Sequence, residues 1–243
     1  MHRFFSGSVD VAIQKDDINH IVNVLRLRAG DEITICDTNA TEHLCRITEL
    51  SKSSVGVEVV SSAPNKCEPR VQVTLFQGLP KSDKMDLIVQ KCVELGVNCI
   101  VPVECMRSIA KIADKADKKI VRWQSISESA AKQSGRGIVP TIGDVLSFSE
   151  AVQQMQGYDL ALMPYELESS ESIRNTIESA VSINDNIKTL AIFIGPEGGI
   201  SDEEADLAKM HGIKTVSLGK RILRCETAGF SALTLALAFL GEY

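Results

Sequence analysis

Residues 71–79, VQVTLFQGL, are apolar at nearly every second and third position and form a buried-type run. The next stretch, SDKMDLIVQKCVELG (82–96), changes period: Met85, Ile88, Val89 and Cys92 recur at helical spacing. That switch predicts a strand followed by a helix. The alternation then repeats. NCIVPVE (98–104), YDLALMPY (158–165), TLAIFIG (189–195) and KTVSLG (214–219) predict further strands, with helices between them. One of those helices covers 114–134, with Ile120, Trp123 and Ser127 in line. Such alternation implies an α/β domain with a mostly parallel sheet covered on both faces.

Before residue 70 the pattern differs. DEITICD (31–37), EHLCRITEL (42–50) and VGVEVVSS (55–62) are short runs rich in β-branched residues, separated by Thr38 to Thr41 and by Ser51 to Ser54. They predict short strands. DINHIVNVLRLRAG (17–30) predicts one helix closing at Gly30. Short strands around one helix suggest a small barrel. SSAPNKCEPR (61–70), with two prolines, predicts a linker, so the expected division is 1–70 and 71–243.

Composition narrows the class. The chain has 243 residues and is 44% hydrophobic, enough for one large core or two smaller ones. The longest apolar run, Ala232 to Leu240, is half of what a bilayer needs, and MHRFFSGSVD lacks the apolar core of a signal peptide. A cytoplasmic protein without membrane contact is the expectation. The seven cysteines include no C-x-x-C pair, and no histidine falls between Cys92, Cys99 and Cys105. Buried free thiols are expected, with no metal and no disulfide framework. The net charge is −6, yet residues 71–140 carry 11 basic and 7 acidic side chains. An anionic partner would meet that basic third; the alternative is a solvated helix surface.

Ligands of parallel sheets sit beyond the carboxyl ends of the strands. Three such ends carry unusual loops: MPYE (163–166), GPEGG (195–199) and LGKRILRCETAG (218–229). The GPEGG loop is neither a dinucleotide nor a P-loop fingerprint. Behind it, Ser201 and Glu204 form the S-x-x-E of a capping box, with Asp202 and Glu203 in the same turn. A phosphate would find the helix donors taken and three carboxylates close by. A neutral or cationic ligand suits this loop better; a tight turn with no ligand is the other reading. In the third loop Lys220, Arg221 and Arg224 precede a helix starting near Glu226, and Thr227 and Ala228 leave room for a flat ring. ALTLALAFL (232–240) is apolar on every face, so burial all round is expected, met by pairing with a second subunit.

These stretches carry a resemblance. FIGPEGGIS, VSLGKRILRCETA, GLPKSDKMDLIVQKCVELGV and KQSGRGIVP, with MHRFF and HIVNVLRLRAGD, resemble the RsmE family across the whole chain. These are 16S ribosomal RNA uridine-N3 methyltransferases of the SPOUT class. The resemblance implies an N-terminal PUA-like β-barrel and a C-terminal SPOUT domain with a parallel sheet and a trefoil knot. It implies S-adenosylmethionine as cofactor, 16S rRNA within the small ribosomal subunit as partner, and a homodimer. The cofactor loops it implies contribute Leu162, Pro164 and Tyr165; Ile194, Gly195, Pro196, Glu197, Gly198 and Gly199; and Leu218, Gly219, Ile222, Leu223, Arg224, Thr227 and Ala228. A cationic sulfonium agrees with the phosphate-hostile loop. Cys225 stands where the family usually has threonine, and Ile200 where phenylalanine or leucine is common.

The implied reaction is displacement at the cofactor methyl by uracil N3, whose imide proton must leave first. Arg136 or Arg224 is expected to stabilise the uracil anion, with solvent or Glu197 taking the proton. Lys81, Lys84 and Lys91 fall on one side of the 82–96 helix. With Arg107 and Arg136 they are expected to meet RNA phosphates, as are Arg3, Arg26 and Arg28 in the small domain. Phe4, Phe5 and Tyr165 are candidates for base stacking, against a core role for the phenylalanines. A SPOUT ribose 2′-O-methyltransferase and a non-catalytic RNA-binding protein remain the alternatives.

Overall fold

A computed structural model describes residues 2–7, 13, 15–37, 39–108 and 116–242. The chain divides into two compact units: Met1–Glu68 with Glu128–Val139, and Pro69–Ser127 with Pro140–Tyr243.

The first unit is built on strands β1 (His2–Phe5), β2 (Glu32–Cys36), β3 (Thr41–Leu50) and β4 (Val55–Pro64), ordered β1-β2-β3-β4. β1 runs parallel to β2; the other pairings are antiparallel, and β3–β4 shifts register at Leu44/Cys45 and at Ile47/Glu49. Such irregularities bend a strand and increase its twist. The helix expected over 17–30 is shorter and less regular. It runs as α1 (Lys15–Asn19) into a π turn, His20–Val24. Ile18 and Ile21 enter the core with Phe4, Ile33, Ile35 and Ile47. β-Branched Val22 and Val24 disfavour continuation. Arg26 then takes a left-handed φ of 55°, and the Leu27 N–H donates back to the Ile21 carbonyl at 3.1 Å. That is a Schellman-type stop, four residues ahead of Gly30. β4 also extends to Pro64 and so takes in part of the expected linker.

The second unit has strands β5 (Gln72–Gly78), β6 (Cys99–Glu104), β7 (Thr141–Ile142), β8 (Leu146–Ser147), β9 (Leu160–Pro164), β10 (Thr189–Ile194) and β11 (Lys214–Val216). Its sheet is ordered β11-β9-β10-β5-β6-β7, with β8 beside β6, and every pairing is parallel. β5 and β10 are buried at nearly every position, as expected of strands covered on both faces. The two short strands β7 and β8 were not legible as separate runs. Helices α2 (Lys84–Glu94), α4 (Phe148–Met155), α5 (Ile173–Ile183), α6 (Asp202–Met210) and α7 (Cys225–Phe239) belong to this unit. Helix α3 (Ala116–Ser134) starts in it, and its last turns belong to the first unit. Residues 114 and 115 of the helix expected over 114–134 lie outside the described residues. Trp123 is buried, as a core residue should be, but its indole N–H also donates to Asp86 at 3.1 Å.

α4 and α6 both start with a complete capping box, Ser147 with Glu150 and Ser201 with Glu204. α7 packs against α2 and α5 and against strands β5 and β10. It buries Cys225, Gly229, Ala232, Leu233, Ala236 and Leu237. Phe230 and Leu235 stay half-buried in the single chain, so the expected burial all round is incomplete within one copy. Five of the seven thiols are buried, Cys99 is half-buried and Cys67 is exposed.

Arg136 is the largest fully buried side chain of the described residues. Its guanidinium donates from Nε and Nη2 to the two oxygens of Glu68 at 2.8 and 2.7 Å, and Glu68 also accepts from the Gly137 N–H at 2.7 Å. A buried charge stripped of its partner is costly. Glu68→Ala should therefore lower stability by about 3–5 kcal/mol. Urea unfolding of the full chain measures it.

Candidate functional site

In a parallel sheet all carboxyl ends face one way. β9 lies between β10 and β11, so the loops after these three strands meet at one rim. They enclose a cavity of about 420 Å³, within the size range of small-molecule sites. Its lining includes Pro164, Glu166, Ile194, the whole of Gly195 to Ile200, and Ile222 to Cys225 with Ala228. A smaller cavity of about 130 Å³ adjoins it, lined by Tyr165 and Leu218 to Arg221 and sharing Pro164, Glu166, Ile222, Leu223 and Ala228. Ile222 is 86% exposed, an apolar side chain left open at the mouth.

Each loop is held by identifiable bonds. In the first, the Tyr165 N–H donates to the Val216 carbonyl at 3.0 Å. Glu168 then ties 168–171 together and to β11. Its carboxylate accepts from the Ser170 hydroxyl (2.7 Å), the Ser170 N–H (2.9 Å) and the Thr215 hydroxyl (2.8 Å). These donors, Ser170 foremost, hold its pKa down to about 2. In the second loop, the Gly199 N–H closes a turn on the Pro196 carbonyl at 2.9 Å. Gly199 has φ +73°, and a Cβ there would lie 2.7 Å from Glu166 Oε1. A Cβ at Gly198 would lie 2.7 Å from the Arg107 carbonyl oxygen. These two glycines thus meet packing demands within the protein, as a tight turn requires, while also lining the cavity. In the third loop, the Ser217 N–H donates to the Glu171 carbonyl at 2.7 Å, fastening it to the first.

The acidic turn behaves as its sequence suggested. The Ser201 hydroxyl accepts from the Glu204 N–H at 3.2 Å, and Glu204 accepts from the Ser201 N–H at 3.0 Å and the Met106 N–H at 2.7 Å. Asp202 accepts from the Tyr165 hydroxyl at 3.2 Å. The α6 N-terminus is therefore closed to an anion.

Glu197 is not a free carboxylate. It accepts from the Lys81 N–H at 3.1 Å and pairs with Lys84 Nζ at 2.9 Å; Lys84 also lies 3.5 Å from Glu226. Burial pushes Glu197 up, but the Lys84 ammonium and the backbone N–H groups of Glu197 and Lys81 bring it below the ordinary carboxylate value. It is thus a weak base at neutral pH. Cys225 donates its thiol proton to Glu226 at 3.1 Å, the donor role a threonine hydroxyl would fill, and its pKa is raised to about 12, chiefly by burial.

Of the residues expected at the cofactor loops, two line neither cavity. Leu162 is wholly buried within β9, and Thr227 is exposed on the first turn of α7. Arg224 lines the larger cavity and has no ion-pair or hydrogen-bonding partner for its side chain among the described residues. The residues expected to meet RNA are scattered. Lys84 faces the cavity, Lys91 pairs with Glu94 at 2.9 Å, and Arg107 donates to the Ile200 carbonyl at 3.1 Å. Lys81 is exposed, its backbone N–H on Glu197. In the first unit, Arg136 is buried, and Arg3 is held by Glu42 at 2.7 Å and by the Arg136 carbonyl at 3.1 Å. Arg26 and Arg28 are exposed, with no ion-pair partner among the described residues. Phe4 is core, Phe5 is half-buried, and Tyr165 lines the smaller cavity. Glu166 and Cys225, which fall inside the expected loops without being named as cofactor residues, line the larger cavity, as does Ile200 just beyond the second loop. Their positions in and beside the motif loops were the available signal.

A β-rich unit ahead of a parallel α/β unit, with a pocket at the strand ends bordered by the capped α6, defines an RNA methyltransferase architecture once set beside known proteins. The profile of the RNA methyltransferase domain matches residues 67–237, and that of the RNA methyltransferase PUA domain matches residues 13–60. The chain belongs to the ribosomal RNA small subunit methyltransferase E family. It is 38% identical over 225 residues to the Bacillus subtilis protein of that name, covering 92% of this chain and 88% of that one. It is 33% identical to the Mesomycoplasma hyopneumoniae protein, covering 96% and 98%. Among solved structures, the Neisseria gonorrhoeae ribosomal RNA small subunit methyltransferase E bound to S-adenosyl methionine aligns with a TM-score of 0.85 and 32% identity, covering 98% and 97%. The α/β fold class with an N-terminal PUA domain holds. No helix of the described residues is long and apolar enough to cross a membrane.

The Glu168 anchor sets a pH dependence. A folded-state pKa of about 2 lies below the ordinary glutamate value of 4.5. Its stabilisation is therefore complete above the ordinary value and is lost as pH falls from there towards about 2. The protection of the Ser170 and Glu171 amides, measured as exchange relative to the unstructured rate at the same pH, should fall across that window in the wild type, and Glu168→Gln should remove the acid step.

Proposed function

We propose that this chain is a cytoplasmic S-adenosylmethionine-dependent methyltransferase acting on N3 of a uridine in 16S rRNA of the small ribosomal subunit. The observation that carries the reading is the pocket at the β9, β10 and β11 ends: large enough, apolar at Ile194, Ile222 and Leu223, and bordered by an α6 N-terminus whose donors are already taken. Those residues fit an adenosyl group against backbone and apolar side chains, with carboxylates nearby for a cation. When bound, the cofactor supplies an electrophilic methyl on a sulfonium leaving group. Arg224 lines the larger cavity with no ion-pair partner among the described residues and stabilises the uracil anion as the N3 proton departs. Glu197, held below the ordinary carboxylate value, leaves that proton to solvent and serves to fix Lys84. Arg136 holds the first unit together through Glu68. Arg26 and Arg28, exposed and without an ion-pair partner among the described residues, take the RNA phosphates in preference to Arg3.

The half-covered face of α7, with Phe230 and Leu235, supports a homodimer. The trefoil knot belongs to the same reading, supported by the fastening of the third loop onto 171–173 before α7 begins.

Small-subunit particles incubated with the enzyme and cofactor should yield 3-methyluridine on nucleoside mass spectrometry; ribose methylation would refute the N3 assignment. Arg224→Gln should lower the single-turnover rate about 10²–10³-fold. The double substitution Arg26→Gln, Arg28→Gln should flatten the log–log salt dependence of RNA binding by about 1.4–1.8. An unaltered slope removes that contact.

A further inference from the structure

The acidic groups around the pocket differ in one respect. Glu197 is held by Lys84 and the Lys81 N–H, Glu204 by two backbone N–H groups, Asp202 by the Tyr165 hydroxyl, and Glu226 by Lys84 and the Cys225 thiol. Glu166 alone among these has no hydrogen bond or ion pair to any described residue. It lines both cavities and so stands where they join. Lys220 and Arg221 line the smaller cavity, yet neither forms an ion pair with it. Its Oε1 lies over the second loop, 2.7 Å from where a Cβ of residue 199 would be, and φ +73° independently suits that position to glycine.

We propose that Glu166 is a specificity-determining residue, whose uncommitted charge makes the pocket prefer a cationic ligand to a neutral one of the same shape. The inference rests on the reading of this pocket as the methyl-donor site and extends it. Transfer of the methyl group turns the cationic sulfonium into a neutral thioether. A carboxylate at the cavity junction attracts the first and not the second. Binding of fresh donor and release of spent product are thereby favoured by the same side chain. An exposed position weakens the attraction by solvent screening, which still leaves about a tenfold preference for one unit charge a few ångströms away.

Calorimetry on the full chain with S-adenosylmethionine and with S-adenosylhomocysteine tests this. In the wild type both should bind. Glu166→Gln should weaken S-adenosylmethionine about tenfold while leaving S-adenosylhomocysteine within about twofold. Glu166→Asp, which keeps the charge, should retain most of the preference. Equal losses for the two ligands, no loss for either, or an aspartate variant behaving as the glutamine one would overturn the proposal while leaving the donor site intact. A wild-type chain that binds neither ligand would remove the reading of the pocket itself, and the role of Glu166 with it.

Discussion

The parallel ladder that seats β9 between β10 and β11 is the constraint on which the pocket depends. Leu190 to Ile192 pair with Leu160 to Leu162 on one side, and Leu162 to Pro164 pair with Lys214 to Val216 on the other. Because the strands share one direction, loops that follow strand ends 30 and 22 positions apart in sequence, after Pro164, Ile194 and Val216, are brought to one rim. The apolar content of these strands holds the rim rigid: β10 is buried from Leu190 to Ile194, and Phe193 packs edge-on against Phe148 at 5.0 Å between ring centres. A site resting on such strands inherits their order. The loops need only the few bonds from Tyr165, Glu168 and Ser217 to be fixed in relation to one another.

Charge is managed around this rim by local satisfaction. The α6 N-terminus, whose free N–H groups would attract an anion, is closed by its own capping box. Lys84 bridges toward two carboxylates from different elements, which lowers the cost of keeping three charges close. What remains exposed to a ligand is apolar surface, backbone, Glu166 and the cations Arg224, Lys220 and Arg221. The capped α6 N-terminus offers an anion no free donors, and Glu166 offers a cationic methyl donor a counter-charge. An arginine left free next to it suits a substrate that becomes anionic.

Much of the fold was legible in periodicity. The 2-to-3.6 switch after residue 79 marked β5 and α2, the S-x-x-E marked the start of α6, and the turn clusters at 38–41 and 51–54 separated the strands of the first unit. The failures have local physical causes. The first helix stops at Arg26 because a left-handed residue and a backward hydrogen bond end it, and a non-glycine in that conformation gives no sequence signal. β7 and β8 are two residues each, too short to show a period. Arginines 3 and 136 read as surface cations, since the partners Glu42 and Glu68 that hold them lie far away in sequence.

The sequence by itself determined the α/β class, the loops at the strand ends and the capped start of α6, because strands, helices and caps are set by residues within a few positions of one another. Only the tertiary structure decided which charges find partners. Glu197 and Arg136 are engaged, and Glu166 and Arg224 have no partner among the described residues, since ion pairing depends on distances across loops and strands that no local pattern encodes.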